Sequence, residues 1–498
     1  VLSTRAALFQ KKLNDYHLFI GPDFAEDYTI NLLFKEDKNL FSDWEKHFHT
    51  TEELSIRIGR WDIPGNPIAI LVDYTPLFTK KNDIYGKFWE LYQVDSLYAY
   101  GDYDDSCMFG YATGIVINNF YNFFSLDKTR VIAHFHEWTT AFGLLFVKQH
   151  QPSVATVFTT HATTVGRSIS GNHKPLYEYM NQYNGNQMAG ELNVLAKHSA
   201  EKAAAHFSDC FTTVSDVTAT ECTQLLEKAP DVITPNGFND SFVSKGKLYQ
   251  KKQKEARKKL RAVAEAVLRY SLNDDALFIG TSGRYEYKNK GIDVMLDSLK
   301  LLSQEHKVQR QVVAFIMLPA HIASARTDIK KKLAHPERIL SDIGNHYTTH
   351  ELYHYDNDTV MSTIRRLHLT NKQEENVKVI FVPSFLSGND GIFNMHYYDL
   401  LIGMDITVFA SYYEPWGYTP MESVAFSIPT VTTSLSGFGQ WVVSNQPANI
   451  ENGVAVIPRS DFNYNEVVWS LSEIITNYSK KTVEEITEIR KAAAEIAK

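Results

Sequence analysis

The chain has 498 residues, more than one hydrophobic core usually serves, so its length predicts two large domains. An apolar fraction of 44% and a charged fraction of 22% are typical of folded globular proteins and exclude a disordered chain. The formal net charge of -8 argues against general binding of nucleic acid or of anionic membranes, because both need a broad positive surface.

The sequence also bears on the compartment. No stretch reaches the ~18 consecutive apolar residues of a membrane-spanning helix, and the start lacks the charged-then-apolar pattern of a signal peptide. The cysteines Cys107, Cys210 and Cys222 lack metal-ligand spacing and favour a reducing compartment. We therefore expect a cytoplasmic protein with no membrane partner.

In chain order, the first half alternates short apolar runs with helical patterns. The runs predict buried parallel strands near Leu18, Leu71, Ile132, Val157 and Thr212. The Ala-rich stretch from Leu192 to Phe207 predicts one of the helices between them. This alternation predicts a Rossmann-like, doubly wound α/β domain over residues 1–237.

A second series of strands and helices follows. Its strands are predicted near Phe278, Phe315, Ile380, Val408 and Val431. We expect a second Rossmann-like domain over residues 238–475, with a polar helical insertion at 321–375 that lacks strand signals, and a C-terminal helix over 476–498. The overall prediction is an α/β protein whose two domains face a cleft lined by the carboxyl ends of their strands. The basic stretch from Lys245 to Arg261 is interpreted as a solvated helix face, with an anion or glucan patch as the alternative.

The segment SYYEPWGYTPMES follows a predicted strand and carries two carboxylates. Thr419, Pro420 and Glu422 predict a capping box at a helix start. The alternative is functional: the same helix start offers NH groups and positive dipole to a diphosphate, and Glu422 can accept hydrogen bonds from a ribose. Glu414 caps no helix, so we place it at the site, with a surface-loop glutamate as the alternative.

The segment GRYEYKNKG, also after a strand, brackets a loop with Arg284 and Lys290. Two fixed cations can stabilise the charge that grows on a departing nucleotide diphosphate without a metal. A solvated charged turn is the alternative.

Histidines end two strands of the first half. His134 and His136 share a face of one strand, which allows a zinc site, although the sequence shows no convincing further ligands, or a contact with sugar hydroxyls. His161 and Arg167 fit a polar cleft wall, with a strand-end turn as the alternative. The acidic run Asp102–Asp105 allows a metal-binding pair, but so short a pattern arises often by chance.

Together, HFHEW, TTHATTVGR, TTVS, TPNG, GRYEYKNKG and SYYEPWGYTPMES resemble, in order and spacing, the glycogen synthases of the animal and fungal type over nearly the whole chain. The resemblance implies the two-domain GT-B fold of nucleotide-sugar transferases. It also implies transfer of glucose from UDP-glucose to the non-reducing end of an alpha-1,4-glucan such as glycogen, with retained anomeric configuration and with no metal or cofactor.

The resemblance also implies roles for residues. Arg284 and Lys290 match the diphosphate clamp, and Glu414 matches the glutamate beside the transferred glucose. The matches on the donor side are Glu422 at the ribose, Thr419 at a phosphate, Phe385 and Tyr397 at the uracil, and Trp416 and Gly417 beside them. His136, with His161 and Arg167, matches the residues that line the cleft from the first domain.

Some family features are not matched. The sequence begins just beyond the position of the Gly-Gly loop that follows the family's first strand. A protein without that loop would favour the alternative of a catalytically inactive glucan-binding scaffold. The region 480–498 offers a single arginine, Arg490, among Lys481, Lys491 and several glutamates where the family has an arginine-rich regulatory helix, so we expect weak or absent activation by glucose 6-phosphate. A related retaining transferase with another donor or acceptor, of the ADP-glucose starch, sucrose or trehalose type, is the second alternative, and the assembly is predicted as tetramer, dimer or monomer.

Overall fold

The computed structural model describes residues 2–24, 33–305, 308–337 and 344–497. The chain divides into two compact units, Val1–Asn239 and Asp240–Lys498. All ten residues at which strands were predicted lie in strands. Within the described ranges, no helix is long and apolar enough to cross a membrane.

The first unit combines eight described strands with nine helices. The strands are β1 Leu18–Pro22, β2 Phe34–Glu36, β3 Ser55–Trp61, β4 Ile68–Asp73, β5 Ile132–His136, β6 Ala155–Thr160, β7 Cys210–Thr213 and β8 Val232–Ile233. The helices are α1 Leu2–Leu13, α2 Ser42–Thr51, α3 Lys81–Tyr92, α4 Tyr103–Phe123, α5 Ala141–His150, α6 Thr164–Gly171, α7 Gly185–Glu191, α8 Leu195–Phe207 and α9 Asp216–Leu225.

These strands form two four-stranded sheets, ordered β1-β4-β3-β2 and β5-β6-β7-β8, where the sequence predicted one. The second sheet is parallel throughout, whereas β3 pairs antiparallel with both β2 and β4. Helices α4 and α5 pack against each other, and the core they share draws on residues of both sheets. In β3 the buried residues Ile56 and Ile58 alternate with Ser55 and the partly exposed Arg57, so the strand has no continuous apolar run.

The second unit combines eight described strands with nine helices. The strands are β9 Leu277–Ser282, β10 Val312–Met317, β11 Ile322–Ala325, β12 His350–Leu352, β13 Val377–Val382, β14 Ile406–Val408, β15 Thr430–Thr433 and β16 Val454–Ile457. The helices are α10 Gly246–Leu268, α11 Ile292–Glu305, α12 Thr327–Ala334, α13 Thr359–Arg366, α14 Tyr397–Leu401, α15 Tyr418–Ala425, α16 Gly437–Asn445, α17 Tyr464–Ser479 and α18 Val483–Ile496.

The main sheet of the second unit is parallel and has the order β13-β10-β9-β14-β15-β16. Strands β9, β10 and β13 are buried along their whole length, as expected for a sheet covered by helices on both faces. From β9 the sheet continues through β10 to β13 at one edge, and from β14 it continues through β15 to β16 at the other edge. The switch point of the topology therefore lies between these two strands, and ligands of open α/β sheets bind at such a point.

The predicted insertion at 321–375 is not free of strands, and that part of the prediction is wrong. It contains the antiparallel pair β11 and β12, which are too short to give a periodic signal. The basic stretch from Lys245 to Arg261 lies in α10, which buries Ala256 and Leu260 and exposes most of its lysines. This arrangement matches the predicted solvated helix face.

Candidate active site

The loops that follow β9 and β14 meet at the switch point through a charged pair. Lys290 Nζ donates a hydrogen bond to Glu414 Oε2. The two side chains are only 13% and 14% exposed, so little water screens the pair. The structure thus brings together two residues that are 124 positions apart in sequence and that the sequence had assigned to one site.

The main chain fixes the relative position of these loops. The carbonyl oxygen of Asn289 accepts hydrogen bonds from the Tyr412 and Tyr413 nitrogens at 2.9 and 3.2 Å. Gly291 has φ +67°, and a Cβ at this position would lie 1.7 Å from the carbonyl oxygen of Ala410. Only glycine allows the two loops to approach so closely, because any side chain would overlap that carbonyl.

Arg284, the second predicted cation of the clamp, does not join this pair. Its Nε lies 3.0 Å from Glu286 Oε1, and its side chain is 63% exposed. The short turn from Arg284 to Glu286, closed by a backbone hydrogen bond of 2.7 Å, brings these two side chains together. The clamp role of Arg284 therefore remains a prediction.

The predicted capping box at Thr419 and Glu422 is wrong. Helix α15 begins at Tyr418, because Gly417 takes the N-cap position with φ +107°. Thr419 lies inside the first turn, where its carbonyl accepts a hydrogen bond from Ser423 Oγ. Glycine at this left-handed position starts the helix earlier than any polar cap would, and it leaves Glu422 available for another contact.

Glu422 makes that contact with Tyr398, whose hydroxyl donates to Glu422 Oε1 at 2.7 Å. Burial raises the pKa of the Glu422 carboxyl to about 7, and the hydrogen bond from Tyr398 partly opposes the rise. Tyr398 lies in α14 and carried no signal that set it apart from the neighbouring Tyr397, so the sequence analysis missed it.

Hydrogen bonds hold the main chain of Glu414 and Trp416 against the start of α16. Gly437 N donates to the Glu414 carbonyl at 3.1 Å, and Ser436 Oγ and Phe438 N both donate to the Trp416 carbonyl, at 3.1 and 2.6 Å. Trp416 is 6% exposed, and its indole Nε1 has no partner among the described residues. A buried donor without a partner fits a site that a polar ligand completes.

The two predicted uracil contacts differ in environment. The Tyr397 hydroxyl shares a 2.7 Å hydrogen bond with Ser282 Oγ at the end of β9. Burial raises the pKa of this hydroxyl, and the nearby charge of Glu422 raises it further. Because the charge of Glu422 acts on Tyr397, the two residues belong to the same site. The Phe385 ring follows β13 and is 76% exposed, so it can be covered by a ligand.

The histidines of the first unit form a stacked cluster at the carboxyl ends of β5 and β6. His136 Nδ1 lies 3.0 Å from His161 Nε2, and His134 Nε2 lies 2.7 Å from Thr159 Oγ1. The ring centroids of His134 and His136 are 4.1 Å apart. Burial lowers the pKa of His136 to about 2 and the pKa of both His134 and His161 to about 4, so all three rings are neutral near pH 7.

The alternatives that involve a metal gain no support. Within the described part of the chain, no group of three or more His, Cys, Asp and Glu side chains could hold an ion. In the acidic run, Asp102 pairs with Lys197 at 2.5 Å and Asp104 pairs with Lys81 at 2.5 Å, so these carboxylates neutralise separate lysines.

Arg167 lies on α6, half-buried, near two carboxyl groups that the sequence analysis did not assign. Burial raises the pKa of both Glu137 and Glu201, and the charge of Arg167 partly opposes that rise. Glu137 stands in the HFHEW segment, so the motif contained a signal, whereas nothing in the helix of Glu201 marked it.

Comparison with known proteins fits this geometry. A family model described as glycogen synthase matches residues 1–344 and 340–496. The chain belongs to the glycogen synthase family. The liver glycogen [starch] synthase of Rattus norvegicus is 28% identical over 534 aligned positions, which cover 97% of this chain and 76% of the rat protein. The glycogen [starch] synthase of Neurospora crassa is 27% identical, with coverage of 97% and 76%. The predicted family is confirmed, and this member of it is a glycosyltransferase.

Solved structures confirm the predicted GT-B fold for this glycogen synthase family member. A structure described as trehalose-6-phosphate from E. coli bound with UDP-2-fluoro glucose gives a TM-score of 0.52 at 9% identity, covering 100% of this chain and 91% of that one. A UDP-forming trehalose-phosphate synthase of Burkholderia xenovorans gives 0.50 at 11% identity, with coverage of 96% and 95%. At such identities the likeness is one of fold.

Proposed function

We propose that this protein is a cytoplasmic glycogen synthase that transfers glucose from UDP-glucose to the non-reducing end of an alpha-1,4-glucan with retention of configuration. The observation that carries the proposal is the enclosed Lys290–Glu414 pair at the switch point of the second unit's sheet. Relatives that align over nearly the whole chain and are named glycogen [starch] synthase support this substrate class.

The reaction needs charge stabilisation on the leaving diphosphate. The bond from the glucose anomeric carbon to the phosphate oxygen breaks, the acceptor hydroxyl oxygen bonds to that carbon from the same face, and the hydroxyl proton passes to the departing phosphate. Lys290, and Arg284 once it leaves Glu286, supply positive charge to the diphosphate without a metal ion. Glu414 holds Lys290 in place and faces the transferred sugar.

The remaining residues bind and orient the donor. Glu422 accepts hydrogen bonds from the ribose, while the start of α15 near Thr419 directs its dipole at the phosphates. Tyr397 and Phe385 pack the uracil, and the Trp416 Nε1 donor and Gly417 complete the same wall. In the first unit, the neutral His136–His161 pair and Arg167 bind sugar hydroxyls.

The decisive experiment is nucleotide release in the presence of glycogen. We expect UDP release from UDP-glucose that depends on glycogen and persists in excess EDTA, with ADP-glucose a poorer donor. Preference for ADP-glucose would indicate the starch-type alternative. UDP release that needs the acceptor of a sucrose or trehalose synthase instead of glycogen would indicate the sucrose- or trehalose-type alternative. A protein that binds glycogen and releases no nucleotide would be the inactive scaffold, although the intact Lys290–Glu414 pair argues against it.

A further inference from the structure

The turn that joins β6 to α6 in the first unit is held by three glutamates from three other elements. Glu137, just after β5, accepts a hydrogen bond from the His161 nitrogen at 3.2 Å. Glu201 of α8 accepts from the Thr164 nitrogen at 2.9 Å, and Glu221 of α9 accepts from Thr163 Oγ1 at 2.6 Å. Glu201 and Glu221 are fully buried. The proposed function gives this turn a task, because it carries His161 and leads into α6, which carries Arg167. It assigns no task to the three carboxyl groups.

Glu137 has an unusual backbone that aims its side chain at this turn. Its φ of +65° and ψ of 163° lie in a region that strongly favours glycine. The conformation is held by hydrogen bonds from Glu137 N to the Thr159 carbonyl at 2.9 Å and from Thr140 N to the Glu137 carbonyl at 3.1 Å. Because of it, adjacent residues reach the two ends of His161: His136 contacts the ring and Glu137 contacts the amide.

The surroundings of Glu137 oppose its ionisation. Burial, followed by the charge of Glu201, raises the pKa of Glu137 to about 8, while Arg167 and the His161 amide act in the opposite direction. The pKa of Glu201 is raised to about 7, again by burial. Charged or titratable groups that act on Glu137 include Glu201 on α8, Arg167 on α6 and Cys222 on α9. Arg5 on α1 acts on the three histidines His134, His136 and His161.

We propose that Glu137 is a positioning residue that acts as a neutral carboxylic acid, whose carbonyl oxygen holds the His161 amide and thereby sets the His136–His161 pair, and that its ionisation switches transfer off. The inference rests on the proposed function, in which that pair binds the sugar. An ionised Glu137 would repel Glu201 across the turn and draw Arg167 and the imidazoles into new contacts, so the histidines would lose their alignment. A neutral acid holds the amide without those forces.

The test compares the pH dependence of kcat in three proteins from about pH 6 to about pH 10. In the wild type, kcat should fall about tenfold per pH unit above the Glu137 pKa, as for loss of one essential proton. Glu137→Gln keeps a carbonyl acceptor and cannot ionise, so its kcat should stay near the wild-type maximum and lack this fall. Glu201→Gln removes the repelling charge, so the fall should persist and move to lower pH.

Two readouts do not depend on turnover. The pKa of Glu137 is raised above its unfolded value, so the folded state holds the proton more tightly, and Tm should decline as pH rises from about 4.5 to about 8. Glu137→Gln should reduce that decline, to which Glu201 and Glu422 also contribute. In the infrared spectrum of the wild type, the protonated carboxyl band that persists to the highest pH should be that of Glu137; it should vanish between about pH 7 and about pH 9, and at lower pH in Glu201→Gln.

The outcomes separate the two proposals. If Glu137→Gln shows the same fall in kcat and the same slope of Tm as the wild type, or if the infrared band is absent at neutral pH, the assignment of a neutral Glu137 is overturned. If no transferase activity is found while the band and the Tm slope behave as expected, the neutral acid stands and the proposed function fails. Should Glu137→Gln not fold, the infrared spectra of the wild type and of Glu201→Gln still test whether Glu137 is a neutral acid.

Discussion

At the scale of single residues, the site depends on a few charges held where water screens them poorly. Lys290 and Glu414 form an ion pair at low exposure, so each side chain holds the other in place. Arg284 is exposed and pairs with Glu286, so its contribution requires it to exchange partners when the donor binds. The two cations of the proposed clamp therefore differ before the donor binds, since Lys290 is enclosed and Arg284 is exposed.

Replacing Lys290 with Ala should lower kcat by about 10²-fold or more, because the charge on the departing diphosphate loses its closest fixed cation. Arg284→Ala should lower kcat by a similar factor. Lys288→Ala is a matched control, since Lys288 lies 5.0 Å above the Tyr412 ring and outside the Lys290–Glu414 pair. Steady-state UDP release measures all three, and near-normal kcat in both Lys290→Ala and Arg284→Ala would remove the clamp from the mechanism.

Glu422 should make donor binding depend on pH. Its pKa of about 7 means that the carboxyl is increasingly protonated as pH falls below 7, and a protonated group accepts ribose hydrogen bonds less well. We expect the KM for UDP-glucose to rise below about pH 7 while kcat changes little. Tyr398→Phe removes the hydrogen bond that lowers the Glu422 pKa, so it should move this rise to higher pH. A KM independent of pH in the wild type would contradict the assignment.

At the scale of elements, strand ends and helix starts place the site residues, and glycines set how closely the elements approach. The loop before α11 passes against the chain after β14 at Gly291, and Gly417 is the N-cap of α15. The sequence predicted both loops as functional. It could not predict that Gly417 would replace Thr419 as the cap, because that choice depends on the turn 436–438 packing against the same segment.

Gly291→Ala should reduce the free energy of unfolding by more than about 2 kcal/mol, since it combines a positive φ with a Cβ that would overlap the Ala410 carbonyl. Activity should fall with it, because the overlap separates Lys290 from Glu414. The control is Gly86→Ala in α3, where a Cβ meets nothing within 4 Å and alanine should be neutral or slightly stabilising. Thermal unfolding measures both, and equal Tm values for the two variants would refute the steric argument.

At the scale of the whole molecule, the order of the strands decides which distant segments meet. The switch between β9 and β14 brings GRYEYKNKG to EPWG, although these segments are more than 100 residues apart. The second unit ends with α17 and α18, and three basic side chains of that region, those of Lys481, Arg490 and Lys491, are already engaged. Arg490 donates to the Met404 carbonyl and lies 3.7 Å from Asp405 Oδ1, while Lys481 pairs with Glu451 at 3.2 Å.

This engagement leads us to expect weak or absent stimulation by glucose 6-phosphate. Cations already held by carbonyls and carboxylates offer little to a sugar phosphate, and Lys491 likewise pairs with Glu488 at 2.6 Å. The measurement is UDP release by the purified protein at subsaturating UDP-glucose with and without glucose 6-phosphate. Strong stimulation would show that other residues recognise the effector.

The sequence by itself determined the fold class, the ten strand positions and the two charged loops, because apolar runs and strand-end motifs are local signals that survive without knowledge of the rest of the chain. It missed β3, the short strands β11 and β12, the cap at Gly417, and the glutamates around His161. Only the tertiary structure decided these features. Antiparallel pairing, helix starts and carboxyl pKa values depend on which distant groups pack together, and burial beside Glu201 or Tyr398 leaves no trace in the residues adjacent to Glu137 or Glu422.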